Sequence, residues 1–254
     1  ALVPARWGLD FARRLCGTFQ DKMTTFVRRE GITLHRERGN DSEPTITMSA
    51  AVVICKANYP YYLAHQIGEE RLSATKRAVK ALGYEEEIRL SAVDFEVVLG
   101  SQAAPQERTG ERRPTLRPYW VKTESTQSVP AGWGLALDQM LDWRYRLVGT
   151  ASRRLSQLRE HFDRVLEEGT DRWNEGLLRI LARIERNWTR RDEKHPVRKA
   201  LKALGGVELE DWYELNRKND QDFGHGHGLP DLLRAWDWTL NLDHSPIAYE
   251  GGER

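Results

Sequence analysis

Three polar side chains next to one apolar run are candidates for ligand contacts. Ser49 lies near the start of the run, Lys56 directly follows it, and Lys76 falls on the exposed side predicted for the next segment. Fixed ammonium groups stabilise the charge that spreads over phosphoryl oxygens, by about 1.5–3 kcal/mol for each charge-assisted hydrogen bond. Plainer roles stay open, because small hydroxyls often satisfy backbone groups, and lysines such as Lys76 and Lys80 commonly lie on solvated helix faces.

A second candidate is the histidine pair His225 and His227, which with Asp222 or Asp231 has the ligand types of a zinc site. No cysteine is near, and the glycines on both sides favour a flexible polar loop instead. Spacing gives no Ser-His-Asp or Cys-His set and no phosphate-binding glycine loop. The remaining histidines are isolated in the sequence: His35, His65, His161, His195 and His244. We therefore assign no catalytic residue and no metal ligand to this chain.

A basic stretch in the last third of the chain is the third candidate. On a helix its first four arginines share one face, away from the apolar side formed by Leu181, Ile184 and Trp188. Such a stripe suits an RNA backbone or an acidic partner, or it is a solvated face paired with Glu185 and Glu193. The basic residues are Arg179, Arg183, Arg186, Arg190, Arg191, Lys194, Arg198, Lys199 and Lys202.

One strand-turn-helix unit must position the serine and the two lysines. Residues 47–55 contain almost no charged or large polar side chain, which predicts a strand that is covered on both faces. Residues 61–82 repeat apolar side chains at helical spacing, with Pro60 suited to a helix start and Gly83 suited to its end. Strand, turn and helix therefore form a single predicted unit.

The segments on either side of this unit continue the same alternation. Leu2 and Val3 indicate the end of a strand, and residues 87–99 indicate either one strand with a slip or two short strands. Residues 7–29 predict a helix that ends at Gly31. Its predicted buried face consists of Ala12, Leu15, Cys16, Phe19, Met23, Phe26 and Val27. The order strand, helix, strand, helix, strand matches half of a split β-α-β sandwich.

The second half of the chain predicts helices and no strand. Residues 101–130 have a linker composition, although the stretch 117–120 (Arg-Pro-Tyr-Trp) indicates an anchor docked on the fold. Helical patterns follow at 135–147, from Ser152 to about 166, at 177–188, at 197–204 and at 232–242. We divide the chain into residues 1–104, a linker 105–130 and a helical domain 131–254. The predicted fold class is α+β.

Composition limits the classes of function that this chain can have without identifying one. The 254 residues permit one or two domains, and 39 Lys and Arg against 38 Asp and Glu mean that any nucleic-acid site must be local. Cys16 and Cys55 are far apart, and no segment has the length and polarity of a membrane span or a signal peptide. We therefore expect a reduced, soluble, cytoplasmic protein with no membrane partner. Because Ala1 directly enters a strand pattern, we also expect a piece of a longer chain.

Several of these stretches together resemble one known family. They are residues 1–5 with the helix after them, the strand and helix of 47–83 with the turn ending in Pro60 and the late Lys76, residues 91–100 with Asp94-Phe95 inside, residues 117–119, and residues 152–159. This combination resembles the second palm domain and following helical domain of the large subunit of type III CRISPR effector complexes.

The resemblance implies both a fold and an activity. The fold is the C-terminal half of a ferredoxin-like, GGDEF-type palm followed by an all-α domain, and the activity is synthesis of cyclic oligoadenylate from ATP in antiviral defence. Ser49, Lys56 and Lys76 would line one wall of the ATP site. The family holds a divalent metal, Mg or Mn, with carboxylates of a Gly-Gly-Asp-Asp hairpin and of the first palm strand. This sequence contains neither, so the stretch alone should not catalyse nucleotidyl transfer.

The resemblance also implies partners. The helical domain would pack on the small helical subunits beside the guide and target RNA, with the backbone subunits as further neighbours. A degenerate palm that acts only as a scaffold is the main alternative, and an intact or degraded Gly-Gly-Asp-Asp hairpin would discriminate between them. A diguanylate cyclase relative is a third possibility, which the long helical segment after the palm disfavours.

Overall fold

A computed structural model of the chain describes residues 1–32, 46–86, 90–98, 116–123, 134–168, 179–186, 195–205 and 227–239. These residues form an α+β fold with seven helices and one mixed sheet of three strands. The strands are β1 (Ser49–Cys55), β2 (Ala92–Val98) and β3 (Tyr119–Trp120). The helices are α1 (Gly8–Arg29), α2 (Tyr61–Glu86), α3 (Leu137–Arg146), α4 (Ser152–Glu168), α5 (179–185), α6 (Pro196–Gly205) and α7 (Gly228–Arg234).

The sheet has the order β1-β2-β3, with a parallel pair followed by an antiparallel one. β1 and β2 are in register from Ser49 opposite Ala92 to Cys55 opposite Val98. β3 pairs with the start of β2, where Trp120 lies opposite Ala92. Among the described residues no strand pairs with the other edge of β1, so this long apolar strand lies at the border of the sheet.

Helices α1 and α2 cover opposite faces of the parallel pair. A Cβ atom placed on Gly8 of α1 would lie 3.1 Å from Val52, and one on Gly68 of α2 would lie 3.6 Å from Val53. Alternate residues of β1 therefore face different helices, as the pleat requires. The prediction of a strand covered on both faces, followed by a long helix, is confirmed. Because two bulky side chains at these positions would hold the helices away, the glycines allow the close packing.

The other helices complete one hydrophobic core with the sheet. Ile54 and Phe95 of the sheet share this core with Leu137 of α3, Leu158 of α4 and Leu201 of α6. The predicted helices at 135–147 and from Ser152 are confirmed as α3 and α4. The domain boundaries themselves stay a prediction. None of the helices among the described residues is long and apolar enough to cross a membrane.

Four details of secondary structure differ from the sequence prediction. Leu2 is not in a strand and its side chain is 88% exposed. Gly83 does not end α2, which continues to Glu86, because one glycine costs a helix only about 1 kcal/mol. The helix predicted at 232–242 ends at Arg234 and is followed by a 3-10 turn at Trp236–Trp238. The strand β3 lies within the predicted linker, where no strand was expected.

The buried face of α1 also differs in composition. Ala12, Cys16 and Val27 are buried as predicted, but Leu15 and Phe26 are 44% and 42% exposed. The sheet side of α1 is instead completed by small or polar residues: Gly8, Gly17, Gln20 and Thr24. Small side chains let the helix backbone approach the sheet, so its larger apolar side chains lie to one side. The predicted end at Gly31 is confirmed, since this residue has a φ of 60°.

Candidate functional site

The three residues predicted for the ligand site lie at two different edges of the sheet. Ser49 and Lys56 are separated by the full length of β1, which at 3.3 Å per residue is about 23 Å. α2 starts beyond Lys56 and runs back along the sheet. Its Arg71 contacts Glu96 of β2 at 2.7 Å, and its Val79, further along, packs against the cluster of Leu90, Ala92 and Trp120 around the start of β2. Lys76, between Arg71 and Val79, therefore lies towards the amino end of the strands.

This arrangement groups Ser49 with Lys76 and separates both from Lys56. Ser49 is the first residue of β1, is partly buried, and lies on the strand face that is directed to α2. Lys76 is exposed on α2 near the same edge, and Lys56 is exposed at the opposite edge. Ser49 and Lys76 thus both lie towards the amino edge of the sheet, and Lys56 does not.

Ser91, a buried residue directly before β2, forms hydrogen bonds that fix the amino edge. Ser91 Oγ accepts a hydrogen bond from Met48 N at 3.0 Å, and Ser91 N donates to Gln20 Oε1 at 2.9 Å. These contacts tie the residue before Ser49 to both β2 and α1. Ser91 therefore satisfies the backbone N–H of Met48, next to Ser49. This is the plainer role that the sequence suggested for Ser49.

A buried ionic cluster lies in the middle of the molecule and joins the sheet to α7. The Arg117 side chain is only 7% exposed, and its Nη1 lies 3.4 Å from Glu96 and 3.7 Å from Asp94. Its Nε lies 3.3 Å from Asp231 of α7. Nη1 also donates a hydrogen bond to the carbonyl oxygen of Phe95. One guanidinium therefore contacts carboxylates from two distant parts of the chain, and Arg71 adds a second positive charge at Glu96.

Tyr119 and the cluster carboxylates complete this network. The Tyr119 hydroxyl donates to Asp231 Oδ2 at 2.8 Å, and Asp94 Oδ1 accepts from Phe95 N at 2.7 Å. Burial raises the pKa of both Asp94 and Asp231, and the charge of Arg117 opposes that shift. For Arg117, burial lowers the pKa, but the three carboxylates around it raise the pKa above the usual value. Charged groups buried to this extent need such partners.

The cluster was not predicted, although the sequence contains part of its signal. Asp94 and Glu96 are two residues apart in an apolar strand, so they share one face, and buried carboxylates require a cation. The prediction that residues 117–120 form a docked anchor is confirmed, because Tyr119 and Trp120 are 0% and 1% exposed. The role of Arg117 inside that anchor, as the cation of the cluster, was missed.

His227 has a structural role that neither interpretation of the histidine pair predicted. Its Nδ1 accepts a hydrogen bond from Leu229 N at 3.0 Å and so caps α7, and its Nε2 lies 2.8 Å from the carbonyl oxygen of Leu201. With both ring nitrogens used, His227 cannot bind zinc, and as a buried cap it is not part of a flexible loop. His225 and Asp222 lie outside the described residues, within which no group of three or more potential metal ligands is found.

Part of the basic stripe can be located in α5 and the residue that follows it. Arg179, Arg183 and Arg186 are exposed, whereas Leu181 and Ile184 are buried. The predicted separation of a basic face from an apolar face is therefore confirmed over residues 179–186. At the neighbouring helix α6, Arg198 forms an ion pair with Glu185, while Lys199 and Lys202 are exposed. The remaining members of the stripe, Arg190, Arg191 and Lys194, lie outside the described residues, as do Trp188 and Glu193.

Comparison of the chain with models of protein families, with curated proteins and with solved structures finds no match.

Proposed function

We propose that this chain is the C-terminal part of the large subunit of a type III CRISPR effector complex. Its sheet and α2 contribute to ATP binding for the synthesis of cyclic oligoadenylate. Its later helices pack on small subunits near the guide and target RNA. The observation that carries the proposal is the position of Ser49 and Lys76 at one edge of the sheet.

Ser49 and Lys76 offer the two kinds of contact that binding a nucleoside triphosphate requires, one to the nucleoside and one to the phosphates. A small hydroxyl at the strand start can hydrogen-bond the nucleoside without crowding it, and an ammonium group one layer away can contact phosphoryl oxygens. The resemblance assigns both roles to residues at these positions. Lys56 is about 23 Å from Ser49 along the strand, and we therefore leave it out of the ATP site.

The free edge of β1 supports a palm that is completed by other strands. β1 is seven residues long, contains no charged residue, and is unpaired on one side within the described part of the chain. A strand added there would bring its own side chains next to Ser49. In the proposed complex this strand carries metal-binding carboxylates, so Mg or Mn would be held by residues outside this sequence.

The ferredoxin-like topology is the part of the proposal that depends most on those strands. β1 and β2 pair directly and in parallel. In a split β-α-β unit another strand separates the two parallel strands, so β1 and β2 are not such a pair. The proposal therefore predicts that the split arrangement arises between β1 and the added strands.

The test uses a complete effector complex that contains this chain, supplied with target RNA and ATP. Lys76→Ala should reduce oligoadenylate formation about tenfold or more, because a charge-assisted contact to phosphate is lost. Lys80→Ala is the matched control, since it removes the same charge one turn further along α2. Size-exclusion chromatography shows whether each complex remains assembled.

Two results would contradict the proposal in different ways. An intact Lys76→Ala complex that synthesises oligoadenylate at the normal rate would remove Lys76 from the site. A wild-type complex that assembles on RNA but forms no oligoadenylate would favour the scaffold, in which the palm keeps its fold without its activity.

A further inference from the structure

Two tyrosines at the start of α2 are the most exposed aromatic side chains among the described residues. Tyr61 is 65% exposed and Tyr62 is 70% exposed. Aromatic side chains contribute most when their large apolar surface is covered, so two adjacent ones in solvent indicate a binding surface. The ring of His65 lies 6.1 Å from that of Tyr61 and extends the aromatic area along the helix.

The position of the tyrosines in the fold favours a ligand site. They lie at the carboxyl edge of β1, directly after Lys56 and the turn that leads into α2. α1 begins over the middle of β1, where a Cβ atom on Gly8 would lie 3.1 Å from Val52, and it runs towards the amino edge, where Gln20 accepts a hydrogen bond from Ser91 N. In sheets of parallel strands with helical crossovers, ligands bind outside the carboxyl ends of the strands.

The charge of this surface favours an anionic ligand. Between Val52 and Gly68 the sequence contains Lys56 and no carboxylate. The first acidic residues of α2 are Glu69 and Glu70, two turns beyond the tyrosines. The start of α2 adds partial positive charge to that of Lys56.

The direction of the two rings favours a strand of bases over a single enclosed base. Successive residues of a helix project about 100° apart, so Tyr61 and Tyr62 present separate faces. A single nucleotide would be held by one ring at a time, whereas consecutive bases of an extended strand can each stack on one. Sequence-tolerant single-strand binding combines aromatic side chains that stack on bases with positive charge along the backbone, which Lys56 and the start of α2 supply here.

We propose that Tyr61, Tyr62 and Lys56 form a binding surface for single-stranded nucleic acid, named here the tyrosine surface. The rings stack on successive bases and Lys56 contacts a backbone phosphate. This surface lies at the opposite edge of the sheet from Ser49 and Lys76. Its proposed role does not rest on oligoadenylate synthesis.

The experiment measures fluorescence anisotropy of a labelled oligouridine of about 12 nucleotides with the purified chain, at several salt concentrations. The double variant Tyr61→Ala/Tyr62→Ala should weaken binding roughly tenfold or more, whereas Tyr61→Phe/Tyr62→Phe should bind as the wild type does. Lys56→Gln should weaken binding less. It should also reduce the slope of log affinity against log salt concentration by about 1, as expected for the loss of one phosphate contact. Circular dichroism checks that all variants remain folded, as expected for exposed positions.

Lys80→Ala is the matched control, because it removes an exposed charge from the far part of α2 and should leave the affinity unchanged. Failure of the wild-type chain to bind, or equal binding by the double alanine variant, would overturn the proposal. Equal affinity for a duplex of the same length would also overturn it, because stacked base pairs cannot cover the rings. A change in oligomeric state of the alanine variant without any nucleic-acid binding would identify a protein interface instead.

Discussion

Tyr119 and Asp231 are separated by 112 residues in sequence, yet the tyrosine hydroxyl donates a 2.8 Å hydrogen bond to the aspartate. This bond connects β3 to α7, and the Arg117 guanidinium lies beside the same aspartate. The sheet and the last described helix are therefore held together by a polar contact inside an apolar core. Because a buried charge is costly without a partner of opposite charge, removing one member of this contact should lower the stability of the fold.

Replacing Arg117 by methionine should destabilise the fold strongly. The variant Arg117→Met keeps most of the side-chain volume but leaves Asp94, Glu96 and Asp231 without their shared cation. Breaking a buried ion pair in this way typically costs about 3–5 kcal/mol, measured as the free energy of unfolding in urea. The control is Arg146→Met, whose exposed ion pair with Asp142 should contribute less than about 1 kcal/mol. Equal losses in the two variants would contradict the role of the cluster.

His227 should make stability depend on pH. Burial lowers the pKa of His227 to about 4, against an ordinary value of 6.5 in the unfolded chain. Between these values the unfolded state binds more protons, so this contribution is fully present above pH 6.5 and is lost as the pH falls towards 4. The full effect is about 3 kcal/mol.

The variant His227→Asn isolates this effect, because asparagine can cap a helix but does not titrate. The difference in unfolding free energy between wild type and variant should shrink from pH 6.5 to pH 4. Taking the difference removes the contributions of Asp94 and Asp231, whose raised pKa values act in the opposite direction. A difference that does not change with pH would show that burial does not lower the pKa of His227 in the folded chain.

Two glycine-to-alanine changes should have opposite effects on the stability of the fold. In Gly205→Ala the new Cβ would lie 2.6 Å from the ring of His227, which is held by both nitrogens and cannot move aside. We expect a loss of about 1–3 kcal/mol from this overpacking. In Gly68→Ala the Cβ would make an ordinary 3.6 Å contact with Val53, and the better helix former should add about 0.5–1 kcal/mol. Thermal unfolding of both variants checks the two signs, and a stabilised Gly205→Ala would refute the packing argument.

The two cysteines should differ in reactivity. Cys16 is fully buried, and desolvation raises the pKa of its thiol to about 11. Cys55 is partly exposed at the end of β1, and burial raises its pKa. A thiol reagent should therefore modify Cys55 alone in the folded chain and both cysteines after denaturation. Cys55→Ser should abolish the fast reaction, and a remaining fast phase would mean that Cys16 is accessible.

The sequence predicted the elements that have a clear period. β1 and α2 were predicted within a few residues because seven nearly uninterrupted apolar residues and a long amphipathic repeat leave little choice. β3 was missed because two residues are too few to show any period. The exposed Leu15 and Phe26 were placed in the core because nothing in a helical repeat indicates that glycine and glutamine form the buried side.

The sites were predictable only where the information is local. The separation of Lys56 from Ser49 follows from strand length alone and could have been derived from the sequence. The carboxylates of Asp94 and Glu96 indicated a buried cation. Their link to Asp231 could not be predicted, because it depends on where α7 packs, which no local pattern encodes.

The edge of β1 that no strand in the described ranges pairs with should also determine how the chain behaves in concentrated solution. Natural edge strands avoid aggregation through lysines, prolines or bulges, and β1 has neither a charged residue nor a proline. Its valines and isoleucine have high β-propensity and the strand has no charge, as in sequences that stack between molecules. A partner strand that covers this edge would therefore act as a solubilising cap, and without one the chain should precipitate through β1 as its concentration rises.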